Sequence, residues 1–259
     1  MTGAARERSG SKRYIYGVNP VLEAIRSQPR DIERLYVARG GATARPAAEL
    51  LGHARSLGIE IQEVDRERIS ELAHGGVHQG LVAQMRAFEY AALEDLLIKG
   101  EPERPLLLVV LDGIQDPQNL GAVIRSAYAL GAHGVVIPKD RSAQVTAAAT
   151  KASAGATQLC PVAQVVNLSR ALEKIKEAGA WIAAADPRSE QAVWDAKLTG
   201  PLAVVVGGEG GGIRPGVLKQ CDLRLRIPMA GEIGSLNSSV ATAILLYEIA
   251  RCRRLNAGA

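Results

Sequence analysis

The sequence predicts an α/β protein built of two units, and three observations carry this. Strand-like and helix-like segments alternate along most of a chain of 259 residues. The run from Leu106 to Leu111 is wholly apolar, the pattern of a strand covered on both faces. Between two series of alternation, Lys99-Gly-Glu-Pro-Glu-Arg-Pro is charged and carries two prolines, which marks a boundary.

In chain order, residues 1–13 are small or charged without apolar periodicity and read as a flexible basic tail. Asn19-Pro20 opens a helix, with Asn as the cap and Pro at the first helical position. Ile32 to Val37 reads as a strand, Pro46 to Leu57 as a helix and Ile59 to Val64 as a strand; Asp65 caps a short helix through Leu72, and Leu81 to Ala87 is another strand. Residues 14–88 therefore form a small α/β domain and 89–104 a linker. Residues 105–256 form the second domain. There, after the Leu106–Leu111 strand, a helix runs from about Asn119 to Leu130 and ends at Gly131; Val135 to Ile137 is a short strand and Ser142 to Ala154 an Ala-rich helix. Leu168 to Ala178 is an amphipathic helix, while Trp181 to Ala184, Leu202 to Val206 and the alternating Leu223 to Ile227 are strands. The last helix, about Asn237 to Arg251, is apolar nearly all round, so it is buried in a core or in a subunit interface.

Composition narrows the function classes. Apolar residues make up 47% and charged residues 22%, which fits a globular chain rather than a disordered one. No apolar run approaches membrane-spanning length, and the first residues lack the apolar core of a secretion signal. The three cysteines, Cys160, Cys221 and Cys252, are scattered, which fits a reducing cytoplasm and argues against disulfides or structural zinc. The histidines (His53, His74, His78 and His133) fall in no metal-ligand spacing. A formal charge of +4, with the excess in the second half, permits a polyanionic partner without demanding one. Aromatics are only 3%, which argues against base stacking on a sheet of exposed rings.

Three segments place unusual residues at the C-terminal ends of strands, where open α/β sheets bind ligands. The first is Leu111-Asp-Gly-Ile-Gln-Asp-Pro-Gln-Asn-Leu-Gly-Ala-Val-Ile-Arg125. Asn119 there is either a helix cap or a group near a helix N-terminus that a ligand can approach, and Arg125 is either a solvated helix residue or a cation aimed at that ligand. The second is Val206-Gly-Gly-Glu-Gly-Gly-Gly212, where one carboxylate, Glu209, stands among glycines. It matches neither the Walker A pattern nor G-x-G-x-x-G in register. The third is Ile227-Pro-Met-Ala-Gly-Glu-Ile-Gly-Ser-Leu-Asn-Ser-Ser-Val240; Ser235, Asn237 and Ser238 at one helix start exceed what capping needs.

In order and spacing these segments resemble the three motifs of the SpoU (TrmH-type) RNA ribose 2′-O-methyltransferases of the SPOUT superfamily; the join of Ile227-Pro-Met to Ser235-Leu-Asn-Ser-Ser is the most specific part. Tyr16-Gly-Val-Asn-Pro-Val-Leu-Glu-Ala-Ile and His78-Gln-Gly-Leu resemble the L30e-like RNA substrate-binding domain attached to many such enzymes. Pro138-Lys-Asp-Arg-Ser-Ala-Gln144 favours the bacterial subgroup that methylates a guanosine ribose in 23S rRNA. The resemblance implies a C-terminal trefoil knot that holds S-adenosylmethionine (SAM), a homodimer with its active site at the interface, an RNA substrate, and no metal or membrane partner. It implies SAM contacts from Gly207, Gly208, Ile227, Met229 and Leu236. Asn119, Arg125, Glu209, Ser235, Asn237 and Ser238 would form the catalytic pocket; the resemblance gives Arg125 a part in deprotonating the ribose hydroxyl, whereas the chemistry of a guanidinium favours binding phosphate and stabilising the developing alkoxide. Three alternatives remain: a tRNA-directed member of the same family, an RNA-binding module without catalysis, and a Rossmann methyltransferase acting on a small molecule. The last usually carries its glycine loop after the first strand, whereas the densest glycine cluster here comes late.

Overall fold

A computed structural model describes residues 13–27, 29–40, 45–231 and 234–257. The expected tail lies outside the described residues except for Arg13. The chain divides into two compact units between Phe88 and Glu89.

The first unit has strands β1 (Arg13–Tyr16), β2 (Ile32–Ala38), β3 (Glu60–Val64) and β4 (Leu81–Met85), with helices α1 (Val18–Ser27), α2 (Arg45–Ser56) and α3 (Arg66–Leu72). The sheet order is β1-β4-β2-β3. β4 runs antiparallel to both neighbours, and β2 and β3 are parallel. Side chains alternate across β4 as the two-residue period requires. Leu81, Ala83 and Met85 pack with Val21, Ile25 and Leu50 of α1 and α2, while Val82 packs with Ile69 and Leu72 of α3. Helices thus cover both faces of the sheet.

Two expected caps differ. Helix α1 starts at Val18, so Asn19 lies inside the first turn; the Val18 N–H donates instead to Gln79 Oε1 at 2.9 Å. Asp65 stands at the N-cap of α3 without a side-chain cap bond, because its carboxylate pairs with Arg39 at 3.3 Å.

The second unit contains α4 (Leu93–Leu97), β5 (Leu107–Asp112), α5 (Pro117–Ala129), β6 (Gly134–Pro138), α6 (Ala147–Ala152), β7 (Val162–Val165) and α7 (Leu168–Glu177), followed by β8 (Trp181–Ala185), β9 (Leu202–Gly207), α8 (Pro215–Leu218), β10 (Leu223–Leu225) and α9 (Ser238–Ala257). The sheet order is β10-β8-β9-β5-β6-β7, and every neighbouring pair is parallel. The central strands β5 and β6 are buried throughout, as the continuous apolar runs require.

Residues 89–104 are not a free linker. Leu93 and Leu96 are buried in the core of the second unit, Ala91 bridges to Ala163, and Glu94 pairs with Lys174 at 2.5 Å. The amphipathic spacing of Leu93, Leu96 and Leu97 outweighs the nearby prolines. Helix α6 is shorter than the Ala-rich run suggests, because Thr146 caps it by accepting the Ala149 N–H at 3.4 Å. β10 ends at Leu225, and Arg226 makes only an isolated bridge to Ala192.

Helix α9 buries Leu245, Leu246 and Ile249 but exposes Val240, Ile244 and Tyr247. Arg253 fastens it across the sheet, donating to the carbonyls of Pro105, Leu106 and Gly200 at 2.8–3.0 Å. Among the described residues no helix is long and apolar enough to cross a membrane.

From β5 the chain builds outward through β6 and β7, then returns to the other side of β5 as β8, β9 and β10. That reversal sets the C-terminal ends of β5 and β9 side by side, with Asp112 next to Gly207.

Candidate active site

The glycine loop after β9 is required by close backbone approach. A Cβ on Gly207 would fall 2.1 Å from the Gly212 carbonyl carbon, and one on Gly208 would fall 2.3 Å from the Gly113 oxygen. The loop folds back on itself through Gly212 N–H to Gly208 O at 3.0 Å, and Gly210 and Gly212 adopt the left-handed conformation that glycine tolerates. It is anchored by Asp112, whose buried carboxylate accepts from the Arg214 backbone N–H at 2.8 Å and from its guanidinium at 2.7 Å. Asp112 and Arg214 were not singled out in the sequence as a site pair. The signal was there: a carboxylate ending a fully apolar strand is buried and needs a partner.

Helix α5 is capped by Asp116, which accepts the Gln118 N–H at 2.9 Å, with Pro117 at the first helical position. Asn119 is therefore not the cap, and its side chain is free for other use. Asn119 Nδ2 donates to Glu209 Oε1 at 3.1 Å. Asn237 Nδ2 donates to the same oxygen at 2.7 Å and to Asn119 Oδ1 at 3.0 Å. Asn237 Oδ1 caps α9, accepting from the Ser239 N–H at 2.9 Å and its hydroxyl at 2.6 Å. The cap settles the amide's orientation: Oδ1 must face the helix, so Nδ2 must face Glu209. Glu209 Oε2 has no protein partner among the described residues. One residue from each of the three motifs thus meets at a single exposed carboxylate.

Beside this cluster lies a cavity of ≈ 360 Å³. Its walls come from the ends of β8, β9 and β10 and the start of α9, and they include Gly207, Gly208, Glu209, Ile227, Met229, Ser235, Leu236 and Ser238. Ser238 is 5% exposed, and its hydroxyl has no hydrogen-bond partner among the described residues. A buried hydroxyl without a partner is uncommon in a folded chain. Asp186 and Arg188, which the sequence reading passed over, also line it; the Asp186 carboxylate accepts from the Arg188 N–H at 3.1 Å. Arg125 is placed differently. It is exposed on α5, six residues past Asn119, which puts it on another face of the helix; no hydrogen bond or ion pair of its side chain occurs among the described residues. The described residues include no cluster of three or more His, Cys, Asp or Glu arranged to hold a metal.

The family model described as the SpoU rRNA methylase family matches residues 106–247, and the one described as RNA 2′-O ribose methyltransferase substrate binding matches residues 14–91. Among curated proteins, the 23S rRNA (guanosine-2′-O-)-methyltransferase RlmB of Photobacterium profundum is 40% identical over 243 residues, covering 93% of this chain and 98% of its own. RlmB of Yersinia pestis is 38% identical, covering 94% and 98%. Among solved structures, the SpoU methyltransferase AviRb of Streptomyces viridochromogenes superposes with a TM-score of 0.65 at 25% identity, covering 95% of this chain and 91% of its own. The same enzyme in complex with AdoMet gives 0.64.

Proposed function

The chain belongs to the SpoU rRNA methylase family, and from that premise we propose that it transfers the methyl group of SAM to the ribose 2′-hydroxyl of a guanosine in 23S rRNA. The observation that carries this reading is the Asn119–Glu209–Asn237 cluster on the rim of a glycine-walled cavity. Relatives named as 23S rRNA methyltransferases at 38–40% identity favour this substrate over tRNA.

The site fits a nucleoside cofactor. Its volume suits a small ligand, its walls mix apolar side chains with polar groups, and the glycine backbone and the Ser238 hydroxyl can supply polar contacts. When bound, SAM supplies a methyl already activated on a sulfonium. Gly207, Gly208, Ile227, Met229 and Leu236 hold it. The protein's task is then alignment and charge stabilisation. The two asparagine amides fix Glu209 so that Oε2 is free to take up the proton of the ribose hydroxyl, and Ser235 lies on the same rim. Arg125 stabilises the developing alkoxide as a cation. It reaches that position in a homodimer. The exposed apolar residues Val240, Ile244 and Tyr247 of α9 and Tyr128 of α5 support such an interface, as does the separation of Arg125 from the cavity of its own chain. In this reading the C-terminal segment closes a trefoil knot, as likeness to the SpoU family implies. The first unit, L30e-like in this reading, selects the RNA in the cytoplasm.

The test is to incubate the full chain with SAM and with unmodified 23S rRNA or tRNA transcripts, and to map 2′-O-methyl groups. Methylation of one guanosine in 23S rRNA is expected. Methylation of tRNA alone would overturn the substrate, and SAM binding without methylation of either RNA would overturn the reaction.

A further inference from the structure

The loop between β6 and α6 is held in a conformation that local sequence does not favour. Arg141 has φ +54°, the left-handed region where glycine is the inexpensive residue. The loop is not slack. The Gln144 amide nitrogen donates to the carbonyls of Pro138, Lys139 and Ser142 at 3.1–3.2 Å. Its oxygen accepts from the Tyr90 hydroxyl at 3.1 Å and from the Gln164 amide. Ala143 N–H donates to Ile114 O at 2.7 Å, and the Ser142 hydroxyl donates to the same oxygen at 3.2 Å. Ile114 follows Gly113, whose carbonyl is the atom pressed against Gly208. The loop is therefore continuous, through one turn, with the glycine loop of the active site.

This frame presents two cations. The side chains of Lys139 and Arg141 are exposed, and neither makes a hydrogen bond or ion pair among the described residues. Asp140 stands between them, exposed and paired with neither. Nothing among the described residues holds the Arg141 side chain, and the left-handed backbone there is one that glycine, Asn and Asp adopt most cheaply.

We propose that the 138–144 loop is an RNA-docking element, with Lys139 and Arg141 gripping backbone phosphates of the strand whose ribose enters the active site, and with Gln144 as the positioning residue. The proposal rests on the rRNA methyltransferase reading and names a contact surface of the second unit within it. Phosphate is the fitting ligand because two unpaired cations at loop height can reach a continuous polyanion without needing a pocket.

The test uses the full chain and an unmodified 23S rRNA transcript. Filter binding over a range of salt gives the affinity and its salt slope; SAM titration and thermal unfolding run beside it. Arg141→Gly is the informative variant, because it relieves the backbone while removing the cation. Its unfolding midpoint is expected to stay or rise and its SAM affinity to stay. RNA binding should fall about three- to tenfold, with the salt slope reduced by about 0.7–0.9, one phosphate's worth. Arg141→Lys should retain the slope, and Lys139→Gln should lose a similar increment. RNA affinity and salt slope unchanged in both Arg141→Gly and Lys139→Gln would overturn the loop assignment alone. A wild-type protein that neither binds nor methylates the transcript would overturn the substrate reading itself.

Discussion

Replacing Asp112 by alanine tests whether the glycine loop is held from beneath. Two hydrogen bonds from Arg214 converge on this carboxylate, from the backbone N–H at 2.8 Å and Nε at 2.7 Å, and Nη2 lies beside it as an ion pair at 2.7 Å. Hydrogen bonds to a charged group contribute about 1.5–3 kcal/mol each, so their gross sum reaches roughly 3–6 kcal/mol. Most of the guanidinium share is recovered in the variant, because the Arg214 side chain is 56% exposed and rehydrates. What is not recovered is the acceptor for the Arg214 backbone N–H and the volume of a fully buried carboxylate. The expected net loss is about 2–4 kcal/mol, below the roughly 3–5 kcal/mol of a fully buried pair. Urea unfolding should show it as a lower midpoint at unchanged slope. Arg214 follows directly on the loop from Gly207 to Ile213, so SAM affinity should fall about tenfold or more at temperatures where the variant remains folded. A loss below about 1 kcal/mol together with wild-type SAM affinity would show that the loop holds its own shape and that the reasoning is mistaken.

Three further outcomes are expected. Asn237→Asp keeps the cap on α9 but turns an amide donor into a second carboxylate beside Glu209. It should keep the fold to within about 1 kcal/mol while lowering single-turnover methyl transfer by roughly a hundredfold; a rate near wild type would remove Asn237 from the site. Burial, helped by the nearby Arg104 cation, holds the His133 imidazole below its ordinary pKa, and its Nδ1 accepts the Leu107 N–H at 3.0 Å. The unfolded chain therefore binds this proton first. Stability from this residue is full above about pH 7 and declines as pH falls through 6.5 toward the lowered folded value, at no more than about 1.4 kcal/mol per pH unit. His133→Asn, whose Oδ1 can replace Nδ1, should flatten that part of the stability profile; an unchanged slope between pH 7 and 5 contradicts the assignment. Burial also pushes the Cys160 and Cys221 thiols up to about 11, so a thiol reagent at pH 8 should modify Cys160 only as fast as the protein unfolds. Rapid labelling of Cys160 in the folded protein would contradict its placement in the core.

The apolar runs at 106–111 and 202–206 were legible because a strand covered on both faces needs no tertiary information to recognise. The glycine loop was legible for a similar reason: no ordinary packing calls for so many glycines together. Its partners were less so. Read alone, Asn119 favours a helix cap, the role that Asp116, three residues earlier, fills. The Gln79 side chain that serves the start of α1 lies 61 residues away, and the Asp112–Arg214 pair spans 102. Such contacts leave no periodic trace in the chain. β1 and β7 are four-residue strands, too short for a two-residue period to stand out. The 89–104 segment misled because its prolines are a local signal, whereas the burial of Leu93 and Leu96 depends on strands that follow.

The central place of β9 also shapes how the protein is made. β5 pairs with β9, Leu107 opposite Leu202, and the intervening 94 residues must be synthesised before that edge is covered. At about 5–20 residues per second the gap lasts roughly 5–20 s. For that time Leu107-Leu-Val-Val-Leu111 presents an apolar, unpaired strand edge inside the cell, the kind of surface that nucleates aggregation. The active cluster waits longer still, since Asn119 and Asn237 are 118 residues apart. A nascent chain therefore passes through a stage that needs protection and cannot yet act. The stretch that ends the exposure, from Leu202 to Asn237, is also the one that brings Glu209 and Asn237 to Asn119.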